Sequence, residues 1–390
     1  MRVAADLHIH IGKTDNGQAV KIPTSPDLTL KNILRAAYEI KGLQLVGIVD
    51  AACLGVISDL EKAADLGIIE PLNGGGFSDG RVALFLGSEV ELAHPKTRRA
   101  AHFIGFFPTM SDIKAYANEA RKFLTNAYLS TQKTRLSPDD WLDLVIDNHG
   151  VAIAAHAFTP HKGVYGNCVS RLEEMFSKPE KFTAIELGLS ADTQMAELIP
   201  DTHSYSYISS SDAHSLQKIG REFTIYELPE LSFASWVSAL QGENGRILAT
   251  HGMEPLLGKY HRSFCPACRR TAHEEEPVLS CPQCGGDVVL GVWDRILSIA
   301  VPSEHAPERP PYVSHIPLEM IPEVGREKRQ KLYRTGTEIE ILYKKPLDEL
   351  AGVVGQSAAL QIMRARQGKL GLIPGGGGKY GKVTKWQEKG

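Results

Sequence analysis

The sequence predicts an α/β protein in which strands alternate with helices around a parallel sheet or barrel, followed by a cysteine module and a helical C-terminal segment. Three observations carry this. Short apolar runs alternate with amphipathic stretches up to about residue 250. Four of the six cysteines fall in two CxxC pairs between 265 and 284. Past a proline-rich stretch, PSEHAPERPP at 302–311, the pattern turns helical.

Taken in order, apolar runs place strands at 3–9, 45–50, 82–90, 101–106, 151–155, 183–187 and 205–210. Helices are expected between them, at 29–41, 112–124, 138–148 and 233–241. The alternation breaks near 258. Residues 264–286 hold the cysteines, 316–370 has little strand character, and the chain closes on PGGGGKYGK and a basic stretch. The expected division is 1–257 as the catalytic domain, 258–301 as a zinc ribbon and 312–390 as a helical region.

Composition narrows the function classes. A chain of 390 residues with 43% hydrophobic content suggests two or three domains with full cores. No apolar run is long enough to cross a bilayer, so a membrane partner is not expected. The strand-like start MRVAADLHIH shows no charged-then-apolar leader, which predicts a cytoplasmic location. The net charge is −3, but it is unevenly spread: residues 301–390 hold 15 Lys+Arg against 10 Asp+Glu. A basic end on an acidic body suggests phosphate binding there.

The chemistry is concentrated in spaced histidines and carboxylates. DLHIH brings Asp6, His8 and His10; SSDAH brings Asp212 and His214. On a strand, residues i and i+2 share a face, so each pair is expected to converge. Asp50 closes LVGIVD, Glu89 closes LGSEV, His102 opens AHFIGF and His156 follows VAIAA. Five histidines with Asp50, Glu89 and Asp212 are too many for one tetrahedral zinc. They suit two or three zinc ions, exchangeable with manganese or magnesium, bridged by a carboxylate. Asp212, Glu89 and His214 are the expected catalytic residues. At the other end, Cys265, Cys268, Cys281 and Cys284 fit a closed structural zinc site. Such a ribbon binds nucleic acid or staples a small domain; the sequence leaves both open. Cys53 and Cys168 read as ordinary buried thiols.

The C-terminal stretches IPEVGREKRQKL and LAGVVGQSAALQIMRARQGK look like helix-hairpin-helix elements. Gly325, Gly352 and Gly355 would be turn glycines whose backbone N–H groups take a DNA phosphate. Lys379 and Lys382 would neutralise charge along the same strand.

DLHIH, Glu89, His102, AAH at 154–156 and SSDAH resemble the motifs of the PHP (polymerase and histidinol phosphatase) family. That resemblance implies a distorted β/α barrel and a metal-dependent phosphoesterase. It implies one metal on His8, His10, Glu89 and Asp212, a second on Glu89, His102 and His156, and a third served by His214. The family's second motif ends in a histidine; here it reads Val49-Asp50-Ala51, so Asp50 would take its place or the third metal would be weaker. Asp15 stands where many members carry an acidic loop residue. In domain order, and in DLHIHIGKT, IELGLSADT, SSSDAHS and IGREF, the chain resembles the endonuclease Q branch of that family. This implies a DNA-repair nuclease that nicks 5′ to deaminated bases (uracil, hypoxanthine, xanthine) or abasic sites. It would act as a monomer, with replication or repair proteins as candidate partners. Flipping the damaged base requires a pocket. The loops 73–79 and 157–167 are the candidates, with Gly75, Gly76, Phe77 and Tyr165 around the base. The rival readings are a small-molecule phosphatase of histidinol-phosphate type and a DNA-binding accessory protein with an inactive barrel.

Overall fold

The computed structural model describes residues 1–303 and 306–385. In chain order its strands are β1 (Arg2–Ile9), β2 (Leu45–Ile48), β3 (Glu70–Pro71), β4 (Phe77–Ser78), β5 (Ala83–Ala93), β6 (Ala100–Phe107), β7 (Val151–Ala154), β8 (Phe182–Glu186), β9 (Ser206–Ile208), β10 (Phe223–Glu227), β11 (Arg246–Met253), β12 (Phe264–Cys265), β13 (Arg270–Thr271), β14 (Tyr312–His315), β15 (Gly371–Ile373) and β16 (Lys382–Thr384). The main sheet runs β14-β11-β10-β1-β2-β5-β6-β7-β8-β9 and curls into a half-barrel. It is mixed rather than parallel. β1–β2, β2–β5, β7–β8 and β8–β9 are parallel, but β6 runs antiparallel to both neighbours, and β10 does likewise.

The α-helices are α1 (Leu30–Arg35), α2 (Leu54–Asp65), α3 (Met110–Ala120), α4 (Pro138–Asp147), α5 (Thr193–Ala196), α6 (Phe233–Gln241), α7 (Val292–Ile299), α8 (Arg326–Leu332), α9 (Glu338–Tyr343), α10 (Leu347–Val354) and α11 (Gln356–Arg366). Their starts are written in the sequence. Thr29, Ser137 and Ser232 each accept a backbone N–H in the first turn of the helix they precede, and Pro138 sits in the first turn of α4. The helix expected over 29–41 is α1 followed by a π-helical turn, Ala36–Lys41.

Strand alternation sorts the apolar side chains into two cores. Val3, Ala5 and Leu7 of β1 join Phe85, Ile104, Phe106, Ile153, Ala184, Tyr226 and the α6 residues Phe233 and Trp236 in one cluster. Residues from so many strands meet only on the inside of a curl. The opposite faces pack on α1–α5 and α7. Inside the curl the apolar plug fills one end. Along β5, Phe85 and Glu89 share a face, and along β6, His102 shares one with Ile104 and Phe106. Polar groups therefore continue the inner face where the plug stops.

A third core, from Met253 and Leu257 through Ile316, Leu332, Ile341, Leu350 and Ile362 to Leu370, holds the C-terminal helices. The segment expected as helical from 312 opens instead on β14, which pairs in parallel with β11 at the sheet edge. The Lys41 ammonium meets Glu338 at 2.6 Å, both buried, and the Tyr333 hydroxyl donates to the same carboxylate. Removing one partner of such a pair costs about 3–5 kcal/mol.

One buried group gives a pH test of the fold. Glu222 is fully buried; one carboxyl oxygen accepts the Met253 N–H at 2.8 Å and the other has no partner. Burial pushes its pKa up to about 8. Between the unfolded carboxylate range and pH 8 the folded chain holds a proton that the unfolded chain releases. Stability from this group is therefore full at low pH and is lost as pH rises toward 8. Glu222→Gln, which stays neutral, should flatten the fall of Tm between about pH 5 and 8. A variant that loses stability with pH as steeply as the parent would place the titration elsewhere.

Candidate metal centre

The cluster forms at the C-terminal ends of the parallel strands β1, β2, β7 and β8, met by the middle of β5 and the start of antiparallel β6. His8 lies in β1 and His10 just beyond it. Ile9 bridges Ala213 in parallel, with His10 N–H donating to the Ala213 carbonyl and Ala213 N–H to that of His8. That short ladder sets His8 and His10 beside Asp212 and His214. Asp212 is not on a strand. Its backbone is left-handed (φ 47°), as is that of His156 (φ 28°) just past β7. Such conformations cost of order 1–3 kcal/mol and persist where the surroundings fix them. Here Asp6 does part of that: its buried carboxylate accepts the N–H groups of Ser211 (2.9 Å) and Gly220 (2.7 Å).

Two triads face each other. His8, His10 and Asp212 form one, and Glu89, His102 and His156 the other; within each, the ligand atoms lie within 4.8 Å of one another. Glu89 is 3.4 Å from His8 Nε2, 3.5 Å from His10 Nε2, 3.0 Å from His102 Nδ1 and 3.4 Å from His156 Nε2. It therefore touches both triads, from the middle of β5 rather than its end. Asp212 Oδ1 stands 3.5 and 3.4 Å from the Nε2 atoms of His8 and His10. Those two Nε2 atoms are buried and accept or donate no hydrogen bond. An orphaned imidazole nitrogen aimed at carboxylates is the donor set a divalent cation completes, so these residues fit a metal. The His214 ring lies tilted against that of His10, with centroids 4.7 Å apart, at the more open side.

The outer carboxylates correct one expectation. Asp50 is not among the triads. Its oxygens take His10 Nδ1 (2.9 Å), the Ile11 N–H (2.5 Å) and the Ser130 hydroxyl, so it orients His10 instead of replacing a ligand. Glu186, which sequence reasoning missed, does the same for His8 Nδ1 at 3.0 Å and also accepts the His156 N–H at 2.8 Å. Glu91, also missed, lies 3.6 Å from His102 Nε2. The signal for Glu186 was present: like Asp50, it is an acid at the end of a buried strand, FTAIE. Such partners fix the tautomer and raise ligand basicity. Glu186→Gln should weaken metal retention about 10–100-fold, read as metal per chain after competition with a chelator; full retention would remove it from that role.

The electrostatics agree. Burial opposes charge on His8, but Glu186 and Asp212 outweigh it and hold its pKa well above the usual value. Burial would raise the Glu89 carboxyl, yet His102 and Lys21 hold it well below the usual range. Lys21 Nζ is 3.2 Å from Glu89.

The triads floor a pocket of about 610 Å³ whose walls carry Lys21, Lys162, Lys218, Arg221, Lys259, His161, Tyr260 and Tyr380. None of the residues expected around a base lies there. Tyr165 is wholly buried, stacks on Phe158 and donates to Asp201. Gly75 and Gly76, both left-handed, turn the chain against Pro108, Phe233 and Phe85, and Phe77 is buried in β4 beside Leu84, at the apolar end of the curl. Asp15 is exposed and belongs to neither triad.

In the C-terminal region Gly355 (φ 84°) makes the turn between α10 and α11, and Gly325 precedes α8; both are exposed. Gly352 is not a turn residue, because it lies within α10. Lys379 and Lys382 are exposed, but the glycine-rich segment they flank is a close-packed loop between the paired strands β15 and β16. A Cβ on Gly375 would stand 2.3 Å from the Gly258 carbonyl oxygen, and one on left-handed Gly377 would strike the Phe264 ring. Cys265 and Cys284 Sγ are 3.8 Å apart, and those of Cys268 and Cys281 are 3.9 Å apart. Thiolates about 2.3 Å from a tetrahedral zinc would stand about 3.8 Å from one another, so the four fit such an ion.

No protein-family model matches the chain. YqxK of Bacillus subtilis (strain 168), an uncharacterized protein, is 41% identical over 386 residues, covering 98% of this chain and 99% of that one. MJ0043 of Methanocaldococcus jannaschii, also uncharacterized, is 36% identical over 251 residues, 59% of this chain and 31% of its own length. The crystal structure of the lesion-specific endonuclease PfuEndoQ from Pyrococcus furiosus superposes with a TM-score of 0.84 at 32% identity, over 99% of this chain and 96% of that one. A structure of endonuclease Q with a 27-mer duplex carrying an abasic lesion at the active site gives 0.85 at 32% identity, over 100% and 98%. With that likeness running through the curled sheet, the cysteine module and the C-terminal helices alike, the chain belongs to the endonuclease Q family.

Proposed function

We propose that the protein is a metal-dependent DNA-repair endonuclease that cuts the phosphodiester 5′ to a deaminated base or an abasic site. The observation that carries this is the pair of triads sharing Glu89 at the floor of a cation-walled pocket. The whole-length likeness to a nuclease solved with an abasic duplex supports DNA as the substrate. When bound, two or three zinc ions, exchangeable with manganese or magnesium, supply Lewis-acid stabilisation of the phosphoryl group and a nucleophile at neutral pH. His8, His10, Asp212 and Glu89 would hold one, and Glu89, His102 and His156 another, with His214 serving a third. Asp50, Glu186 and Glu91 keep the imidazoles in the ligating tautomer. Lys162, Lys218, Arg221 and Lys259 set positive charge where phosphates enter, and Tyr260 and His161, 4.7 Å apart by ring centroid, offer faces for an unstacked base.

A further metal, a structural zinc, would be held by the four cysteines. Gly325, Gly355, Lys379 and Lys382 would touch the DNA backbone farther out. No described helix is long and apolar enough to cross a membrane. A direct test compares nicking of a duplex with one abasic site against hydrolysis of histidinol phosphate, with added metal. Lesion-dependent nicking is expected. Phosphate release from the small ester without nicking would favour the phosphatase, and neither activity would favour an inactive DNA-binding barrel.

A further inference from the structure

Tyr380 lies in the glycine-rich loop that the sequence presents as a tail, yet it stands at the wall of the metal-site pocket. The loop is pinned there by backbone bonds from Gly375, Gly378 and Gly381 to the carbonyls of Leu256, Lys259 and Leu257. The Tyr380 hydroxyl accepts from Arg221 Nη1 at 2.7 Å. Arg221 is itself buried and also donates from Nε to the Ser211 carbonyl (2.8 Å) and from Nη2 to the Asp212 carbonyl (3.4 Å). Those are the peptides flanking the left-handed Asp212. Two cations lie over the Tyr380 ring, with Lys259 Nζ 4.8 Å and Lys218 Nζ 5.4 Å from its centroid, and Lys218 is held in addition by an ion pair with Glu319.

We propose that Tyr380 is a positioning residue with two separable actions. Its hydroxyl braces Arg221 and so fixes the backbone that aims Asp212 at His8 and His10. Its ring holds Lys259, beside Lys218 in its ion pair with Glu319, as an anion-receiving wall for the phosphates of the substrate strand. The inference rests on the phosphodiesterase reading above.

Tyr380→Phe and Tyr380→Leu in the full-length, metal-loaded protein separate the two actions. Nicking of an abasic duplex gives kcat and KM. Fluorescence anisotropy with a labelled ten-residue oligothymidylate, which carries no lesion, gives Kd and its salt dependence. Tyr380→Phe should lower kcat about tenfold, the loss of one hydrogen bond to a charged group, with KM and the oligothymidylate Kd within about twofold. Tyr380→Leu should lower kcat equally, weaken oligothymidylate binding about tenfold, and reduce the salt slope by about 0.7 to 1.4, since each neutralised phosphate contributes about 0.7 on a single strand. Parental kcat in folded Tyr380→Phe overturns the brace. Parental Kd and slope in folded Tyr380→Leu overturn the wall. If the leucine variant does not fold, Lys259→Gln reads the wall instead: a slope smaller by about 0.7 supports it, and an unchanged slope rejects it. A parent that binds oligothymidylate but never nicks the abasic duplex contradicts the nuclease reading and leaves the binding arm to judge the wall.

Discussion

Glu89→Gln should lower the rate of lesion nicking by on the order of 10³-fold or more while leaving DNA affinity within a few-fold of the parent. The side chain is buried and, among the described residues, is the one carboxylate within about 3.5 Å of imidazoles in both triads. An amide keeps its size and its bond from Thr131 but loses the charge that meets Lys21 and His102 and that would hold a metal. Losing one strong electrostatic contribution in a site sheltered from water costs about 10²–10³ in rate, and a carboxylate that served two ions would cost at least that. Asp212→Asn should behave alike for the first triad. DNA affinity is expected to survive because the wall cations are untouched. The check is single-turnover nicking beside metal per chain and Tm. A folded variant that nicks within tenfold of the parent would remove Glu89 from the centre of the reaction.

Replacing Cys265 and Cys268 with serine should remove one metal per chain and loosen more than the ribbon. Structural zinc contributes directly to folding, about 10–16 kcal/mol in isolated zinc-finger peptides. The thiolates hold β12, and Phe264 of that strand packs beneath Gly377, while Arg262 bridges Gly376. The module is thus the bed of the loop that carries Tyr380. The serine variant should show a lower Tm, one metal fewer, and a raised KM for lesion duplex. An unchanged metal count would overturn the ribbon assignment. A lost metal with an unchanged KM would separate the ribbon from the pocket.

The legible parts of the sequence were local. DLHIH and SSDAH stated their residues outright, and the two CxxC pairs named their own site. The amphipathic stretches placed α4 and α6 almost to the residue. What stayed hidden is long-range. Glu186 reaches His8 across 178 positions, and Tyr380 reaches Arg221 across 159; no spacing rule joins such pairs. Glycine runs misled in a physical way. Gly75 and Gly76 are demanded by a left-handed turn on apolar side chains, and Gly375 and Gly377 by close packing, so neither run is a flexible ligand loop. Tyr165 misled because an aromatic in a glycine-containing stretch reads as exposed, whereas its hydroxyl finds Asp201 inside the core. The antiparallel β6 also went unseen, because hydrophobic runs report burial and not strand direction.

The most direct measurement labels one strand of a duplex at its 5′ end, places a single uracil or abasic site in it, and maps the cut made by the metal-loaded protein. The expected result is one metal-dependent product ending in a 3′-hydroxyl immediately 5′ to the lesion, absent from the undamaged duplex and absent with Glu89→Gln. A cut that ignores the lesion, or one that persists undiminished in Glu89→Gln, would contradict the assignment of this centre to lesion-directed cleavage.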